Sequence, residues 1–262
     1  MVNAATPSFL TLPDRAEKPR SRGITHVLDK GMPVDDVSRV LQVAGRYIDV
    51  WKLGWGTAYL DPGLEAKLAL LAEHAVMACT GGTLLEVAWQ QGVADAYFDW
   101  ACSLGFPSVE VSCGVAEMGL GEKQRLISIA AQRFVTLAEV GTKDPAAAVT
   151  AEAWAAEVTA DLEAGARWVV TEGRESGTVG LYDPDGRVRA GVVSAVVEAA
   201  GLDRIIFEAP RKDQQAWLIR HLGPDVGLGN IAAPEVLGME ALRLGLRADT
   251  FDATRSPGGR PS

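Results

Sequence analysis

The sequence predicts a single-domain α/β protein, a (β/α)8 TIM barrel, and three observations support this prediction. Short apolar runs alternate with amphipathic stretches of helical length from residue 23 to residue 251. Most runs lack the alternation of half-exposed strands, as expected for parallel strands that are covered on both faces. No break in composition divides the 262 residues, and neither common nucleotide-binding glycine motif occurs in a suitable place. A closed barrel is therefore favoured over an open doubly wound sheet.

Eight apolar runs are the predicted strands, and they lie at residues 24–29, 47–53, 75–80, 108–113, 134–139, 167–172, 204–209 and 226–231. The predicted helices between them include residues 63–74, 121–133, 150–165 and 211–222. Residues 1–22 contain three prolines and a basic stretch, which indicates an irregular N-terminal segment. Residues 252–262 are rich in Pro, Gly and Ser and are expected to form a flexible tail.

Composition and charge exclude several classes of function. Apolar residues make up 48% of the chain, charged residues 23%, and the net charge of −9 argues against nucleic acid or an anionic membrane as partner. No apolar run is long enough for a membrane span, and no signal-peptide core is visible. Cys79, Cys102 and Cys113 are too few and too scattered for a disulfide framework or a zinc site. The cytoplasm is therefore the expected compartment.

Carboxylates stand at three consecutive predicted strand ends, at Glu139, Glu172 and Glu208. Active sites of these barrels lie at the carboxyl ends of the strands. Adjacent strands lie about 4.8 Å apart, so three carboxylates there would repel each other unless protonated, paired or bridged by a cation. The sequence leaves two interpretations open, a Mg²⁺ site held by oxygens or an ion-pair network with Arg174 and lysines.

Cationic side chains accompany these carboxylates at Lys30, Lys52, Lys143 and Arg174. Lys52 stands inside an apolar run, where an unpaired ammonium is costly. It is therefore expected to face the polar end of the barrel or to pair with a carboxylate such as Asp29. The lysines at positions 30 and 143 fall in loops, where solvated surface lysines are the competing interpretation.

The loop after the third run adds candidate anion contacts. Gly81 and Gly82 precede Thr83, and glycine lets backbone N–H groups approach an anion closely. Glycines in such loops also serve turns, so this signal is modest. Asn230 ends the eighth run and is a further candidate for substrate binding.

At these strand ends the sequence resembles the phosphosulfolactate synthase family. The matching segments are GITHVLDKG (23–31), WKLGWGT (51–57), GGTLLE (81–86), EVG (139–141), EGRESG (172–177), IFEAP (206–210) and LRLGLRADTF (242–251). The resemblance implies a barrel, a homotrimer with active sites near subunit interfaces, and dependence on Mg²⁺. It also implies conjugate addition of sulfite to phosphoenolpyruvate through an enolate, giving (2R)-2-O-phospho-3-sulfolactate.

The resemblance also implies roles for individual residues. The family's proposed acid, a lysine in the loop after the fifth strand, falls on Lys143. Lys30, Lys52 and Arg174 would bind phosphate and sulfite. Arg174 suits this role because an arginine can bind such an anion through two parallel hydrogen bonds. One departure concerns Cys113, which stands where family members usually have an aspartate after the serine at the end of the fourth strand.

Three functions remain open at this point. The first is the Mg²⁺-dependent, sulfite-adding synthase. The second is a related barrel enzyme, which either joins phosphoenolpyruvate to another nucleophile or is a Schiff-base aldolase using Lys52 or Lys143. The third is a non-catalytic, stress-related protein like the plant homologues in this family. So many polar strand ends in one place speak against the third.

Overall fold

A computed structural model of the chain describes residues 9–141 and 150–254. Eight parallel strands form a closed barrel in chain order, with β8 paired to β1. The strands are β1 (Thr25–Asp29), β2 (Val50–Leu53), β3 (Met77–Thr80), β4 (Ser108–Val111), β5 (Val135–Val140), β6 (Trp168–Thr171), β7 (Ile205–Glu208) and β8 (Gly227–Ala232). The predicted (β/α)8 barrel and all eight predicted strand positions are therefore confirmed.

Helices cover the outside of the barrel. They are α1 (Val34–Ala44), α2 (Thr57–Leu60), α3 (Leu64–Glu73), α4 (Gly82–Gln90), α5 (Ala94–Ser103), α6 (Leu120–Ala130), α7 (Ala151–Glu163), α8 (Ala190–Ala200), α9 (Lys212–Leu222) and α10 (Val236–Arg243). Short 3₁₀ helices occupy Gly45–Tyr47, Leu202–Arg204, Ala233–Glu235 and Phe251–Thr254. The first of these includes Tyr47 and residues 48–49 are irregular, so β2 begins three residues later than predicted. No helix in the described part of the chain is both long and apolar enough to cross a bilayer.

Two apolar clusters lie on opposite faces of the barrel wall. The larger one fills the space between strands and helices. The smaller one fills the barrel interior and consists of Ile24, Val50, Cys79, Leu137, Trp168, Val170 and Ile206. Because strand side chains alternate between faces, the residues two positions beyond Val50, Leu137, Val170 and Ile206 also face inward, at the carboxyl ends. Those residues are Lys52, Glu139, Glu172 and Glu208.

The described part of the N-terminal segment, residues 9–22, contains no helix or strand and is bound to the amino ends of the strands. Arg15 forms ion pairs with Asp225 (Nη1–Oδ1 2.6 Å) and with Glu240 of α10 (Nε–Oε1 2.9 Å). Arg20 pairs with Asp49, the residue before β2, at 2.9 Å. Charge thus attaches this irregular segment to the barrel. Of the predicted tail, residues 255–262 lie outside the described residues.

Candidate active site

A cavity of about 730 Å³ opens at the carboxyl ends of the strands. All eight β/α units contribute to its wall, the third through the first turn of α4. The wall consists of Leu28, Lys30, Lys52, Trp55, Gly82, Thr83, Glu110, Val115, Glu139, Glu172, Arg174, Glu175, Ser176, Glu208 and Asn230. The structure therefore brings nine of the predicted site residues to one place: Lys30, Lys52, Gly82, Thr83, Glu139, Glu172, Arg174, Glu208 and Asn230. What each of them does there stays a prediction. Lys143 lies outside the described residues.

Lys52 is buried in the cavity wall and is held by two carboxylates. Its Nζ lies 3.0 Å from Glu110 Oε2 and 3.1 Å from Glu208 Oε1. Burial alone would lower the pKa of Lys52, but the carboxylates of Glu110, Glu208 and Glu139 outweigh it and hold the pKa well above its usual range. This environment therefore favours the ammonium form of Lys52. A Schiff-base lysine must be neutral to attack a carbonyl, so this environment disfavours an aldolase that uses Lys52.

The interpretation that Lys52 pairs with Asp29 is wrong, because the two side chains point to opposite faces of the barrel wall. Asp29 faces the helices, where its Oδ2 accepts from Lys67 Nζ of α3 (3.0 Å) and from the indole Nε1 of Trp51 (2.9 Å). Its other oxygen accepts from the backbone N–H groups of Gly31 (2.8 Å) and Met32 (2.6 Å). Asp29 therefore fixes the backbone of the loop that carries Lys30.

Glu110 is a site residue that the strand-end analysis missed. It lies in the middle of β4, is 2% exposed, and lines the cavity. Besides Lys52, it contacts α4, because its Oε1 accepts from the backbone N–H of Gly82 at 3.0 Å. Burial raises the pKa of Glu110 to about 7; Lys52 opposes the rise, and the negative charges of Glu139 and Glu208 add to it. A glutamate inside an otherwise apolar run was the available signal.

The three predicted metal carboxylates have different surroundings. Glu208 is held through both oxygens, Oε1 by Lys52 and Oε2 by the N–H of Gly173 at 2.9 Å. Glu172 Oε1 accepts from the N–H of Arg174 at 2.6 Å, and Glu139 is buried in the wall. Among the described residues no group of three or more His, Cys, Asp or Glu is arranged to hold a metal ion. The contacts of Glu208 match the ion-pair interpretation, because its carboxylate pairs with Lys52.

The glycines after β3 contact the protein's own groups. Gly82 donates to Glu110, and the N–H of Gly81 donates to the carbonyl of Leu53 at 2.9 Å. Gly81 is not among the residues that form the described cavity wall. A Cβ atom at Gly81 would lie 2.4 Å from the backbone N and 2.8 Å from the backbone O of Trp55. The absence of a side chain at position 81 thus makes room for the turn that places Trp55 in the wall.

Backbone strain is concentrated at the cavity. Four described non-glycine residues have a left-handed φ, and three of them line the wall: Trp55 (53°), Arg174 (52°) and Asn230 (53°). Such conformations are costly and tend to occur at functional sites. The N–H of Asn230 donates to Nδ1 of the buried His26 at 3.4 Å. Its side-chain Oδ1 is buried and has no hydrogen-bond partner in the described part of the chain, so it can accept from a bound ligand.

Cys113 does not supply a negative charge where the resemblance implies an aspartate. Burial raises the pKa of its thiol to about 11, so the thiol is neutral at physiological pH. The carboxylate beside this loop comes from Glu86 of α4, which is 2% exposed. Glu86 accepts from the N–H groups of Gly114 (3.2 Å), Val115 (2.7 Å) and Ala116 (2.6 Å). It thereby holds the loop whose Val115 lines the cavity.

Comparisons with known proteins agree with this geometry. The family model of (2R)-phospho-3-sulfolactate synthase (ComA) matches residues 13–249. The chain is 42% identical to phosphosulfolactate synthase of Methanothermobacter thermautotrophicus, over 93% of this chain and 96% of that protein. It is 38% identical to phosphosulfolactate synthase of Bacillus subtilis, over 92% of this chain and 97% of that protein.

A solved structure supports the fold alone. The 3-hexulose-6-phosphate synthase from Salmonella typhimurium superposes with a TM-score of 0.52 at 15% sequence identity, covering 83% of this chain and 96% of that chain. The family is shown by the sequence matches, which extend over the barrel and over all described residues of the cavity wall. The chain therefore belongs to the (2R)-phospho-3-sulfolactate synthase family.

Proposed function

We propose that the protein catalyses the conjugate addition of sulfite to phosphoenolpyruvate, giving (2R)-2-O-phospho-3-sulfolactate. The observation that carries this proposal is the convergence of Lys30, Lys52 and Arg174 with buried carboxylates on one cavity in a member of this family. A protein with a net charge of −9 needs such a local concentration of cations to bind two anions.

The proposed reaction divides into attack and protonation. The sulfur lone pair of sulfite forms a bond to C3, and the C2–C3 π electrons move into the substrate carboxylate to give an enolate. The enolate then takes a proton at C2, which completes the addition. Lys30 and Arg174 would hold the phosphate and sulfite oxygens, while Lys52, fixed by Glu110 and Glu208, supplies a positive charge that cannot rotate away.

Mg²⁺ is the proposed cofactor. Among the described residues of the wall, five carboxylates (Glu110, Glu139, Glu172, Glu175 and Glu208) face three cations, so a divalent cation would offset the excess negative charge. Mg²⁺ commonly takes one or two protein carboxylates and fills its remaining positions with water and substrate oxygens. Glu139, Glu172 and Glu208 are the proposed ligands, and Glu208 would have to share its oxygens with Lys52 and with the N–H of Gly173. When bound, Mg²⁺ would stabilise the charge that develops on the substrate carboxylate.

An assay of the purified protein tests the proposal. With phosphoenolpyruvate, sulfite and Mg²⁺, ³¹P NMR should show a phosphate monoester distinct from phosphoenolpyruvate, and mass spectrometry should show the mass of phosphosulfolactate. EDTA should stop the reaction. The absence of product over a range of pH and sulfite concentration would contradict the proposal, and covalent trapping by borohydride with a carbonyl substrate would point to the aldolase instead.

Lys143, which the resemblance identifies as the acid, provides a second prediction. Lys143→Ala should lower kcat and kcat/KM together by about 10²–10⁴. Phosphoenolpyruvate affinity, measured by calorimetry, should change little, because a proton donor to C2 is needed only after the enolate has formed. Arg174→Ala is the matched comparison and should weaken binding as well as turnover. Near-normal kcat in Lys143→Ala would rule out the acid role.

From the resemblance alone, we further propose that the protein acts as a homotrimer in the cytoplasm. Light scattering coupled to size-exclusion chromatography gives the molar mass in solution, and a mass other than three times 27.7 kDa would contradict the trimer.

A further inference from the structure

An ion pair crosses the opening of the cavity. Lys30, in the loop after β1, bonds through its Nζ to Glu175 Oε2, in the loop after β6. Both residues line the cavity. We call this contact the mouth pair. It gives Lys30, one of the three cations of the described wall, a carboxylate partner at the entrance.

The mouth pair differs from the buried pairs of Lys52 in how readily it can separate. The Lys30 and Glu175 side chains are 54% and 45% exposed, whereas those of Lys52, Glu110 and Glu208 are at most 6% exposed. Ion pairs in water contribute little, because solvent screens them and both long side chains lose conformational freedom. The mouth pair can therefore open to solvent, whereas Lys52 cannot leave its carboxylates without creating buried unpaired charges.

The backbones on both sides of the mouth pair are fixed. Asp29 binds the N–H groups of Gly31 and Met32, immediately after Lys30. On the other side, Glu172 binds the N–H of Arg174, the residue before Glu175. Opening of the pair is consequently a rotation of two side chains and needs no movement of the loops.

We propose that Glu175 sets the affinity of the site for anions by competing with the incoming anion for Lys30. The inference rests on the proposed function, in which Lys30 holds a substrate oxyanion. On binding, the oxyanion replaces the Glu175 carboxylate at Lys30 Nζ, and the Glu175 side chain turns into solvent. The apparent association constant is then the intrinsic constant multiplied by the fraction of molecules in which Lys30 is unpaired.

This competition also acts on release. Glu175 can recapture Lys30 as the doubly charged product leaves, so the pair weakens binding of substrate and product alike. Removing the carboxylate should thus lower KM for phosphoenolpyruvate. If product release limits turnover, it should also lower kcat. A structural role for Glu175 would give neither change, and a substrate-binding role would raise KM.

Calorimetry with sulfate as the probe tests the proposal independently of turnover, at constant ionic strength. Glu175→Gln should bind sulfate about two- to fivefold more tightly than the parent protein. Lys30→Met should bind it more weakly, and in the Lys30→Met background the Glu175→Gln change should have no effect. Glu117→Gln is the matched control, because Glu117 is exposed on the β4–α6 loop at the same end of the barrel and is not part of the described wall.

Two results would overturn the proposal: unchanged or weaker sulfate binding in Glu175→Gln, or an equal gain in the Lys30→Met background or in Glu117→Gln. An equal gain would mean that only the general electrostatic field had changed. The sulfite-addition assay could fail while sulfate binding changes as expected. That outcome would reject the proposed reaction but would still support the competition between Glu175 and the anion for Lys30.

Discussion

Lys52→Met should destabilise the protein by about 3–5 kcal/mol near pH 8 and abolish turnover. The substitution leaves Glu110 and Glu208 facing each other in the wall without their shared ammonium. Both are at most 3% exposed, so water screens their charges only weakly. Urea denaturation followed by tryptophan fluorescence measures the loss, and the steady-state assay measures turnover.

The same substitution should have a distinctive pH dependence. Without Lys52, the pKa of Glu110 loses the largest influence that lowers it. Burial and the charges of Glu139 and Glu208 then raise that pKa further, so Glu110 binds its proton more tightly in the folded than in the unfolded state. Stability from such groups is fully present below the unfolded pKa and is lost as pH rises through the folded value. Because the pKa of Glu110 is about 7 even with Lys52 present, the variant should be nearly as stable as the parent at about pH 5. Its loss in free energy of unfolding, relative to the parent protein, should grow as the pH rises above neutrality.

Two further variants separate charge from packing at this position. Lys30→Met removes an exposed lysine and should cost at most about 1 kcal/mol at either pH. Lys52→Met combined with Glu110→Gln removes one of the two carboxylates and should recover part of the stability near pH 8 but none of the turnover. An equal loss of stability at low and high pH would mean that Lys52 stabilises the wall by packing and not by charge.

Gly81→Ala should destabilise the protein by about 1–3 kcal/mol and reduce kcat/KM by about 100-fold. The backbone at Gly81 is ordinary (φ −74°, ψ 141°), so the conflict is one of space. The added Cβ would meet three backbone atoms, the N and O of Trp55 and the O of Leu53, at 2.4–2.9 Å. Relief requires a shift of the Trp55 turn or of Gly82, whose N–H holds Glu110. Thermal unfolding and steady-state kinetics measure both effects.

Gly191→Ala is the matched control for this substitution. Position 191 lies in the first turn of α8, is exposed, and a Cβ there would meet nothing within 4 Å. Alanine also favours the helix, so stability should stay the same or rise by up to about 1 kcal/mol. If Gly81→Ala were as stable and active as Gly191→Ala, the turn at Trp55 would not be tightly packed.

The sequence was sufficient for the barrel because each strand is a separate apolar run. Glu139, Glu172 and Glu208 could be placed together because each stands within one residue of a strand end, and the carboxyl ends of barrel strands meet at one opening. The roles of these residues, of Lys143 and of Mg²⁺ depend on a bound substrate and stay predictions. The composition of an apolar run indicates where a strand lies, but it does not show which side chains meet across the barrel.

Lys52 faces the polar end of the barrel and pairs with carboxylates, as expected, but its partners and the role of Glu110 depend on the direction of side chains. Lys52 and Asp29 stand near the ends of adjacent strands, but only the period of two along each strand decides that one faces inward and the other outward. Glu110 was missed because β4 ends at Val111, two residues before the predicted end. Its last inward-facing residue within the strand is therefore Glu110, not a residue of the loop.

The ion pair between Arg15 and Glu240 joins positions 225 residues apart, and the neighbouring strands β1 and β8 are almost as distant in the chain. During synthesis, β1 is made early, yet it has no partner on one side until residue 232 has left the ribosome. Until then the growing sheet has two open edges, which are prone to pair with other chains. The ring can close only after translation is nearly complete, so the nascent chain must be kept from aggregating throughout its elongation.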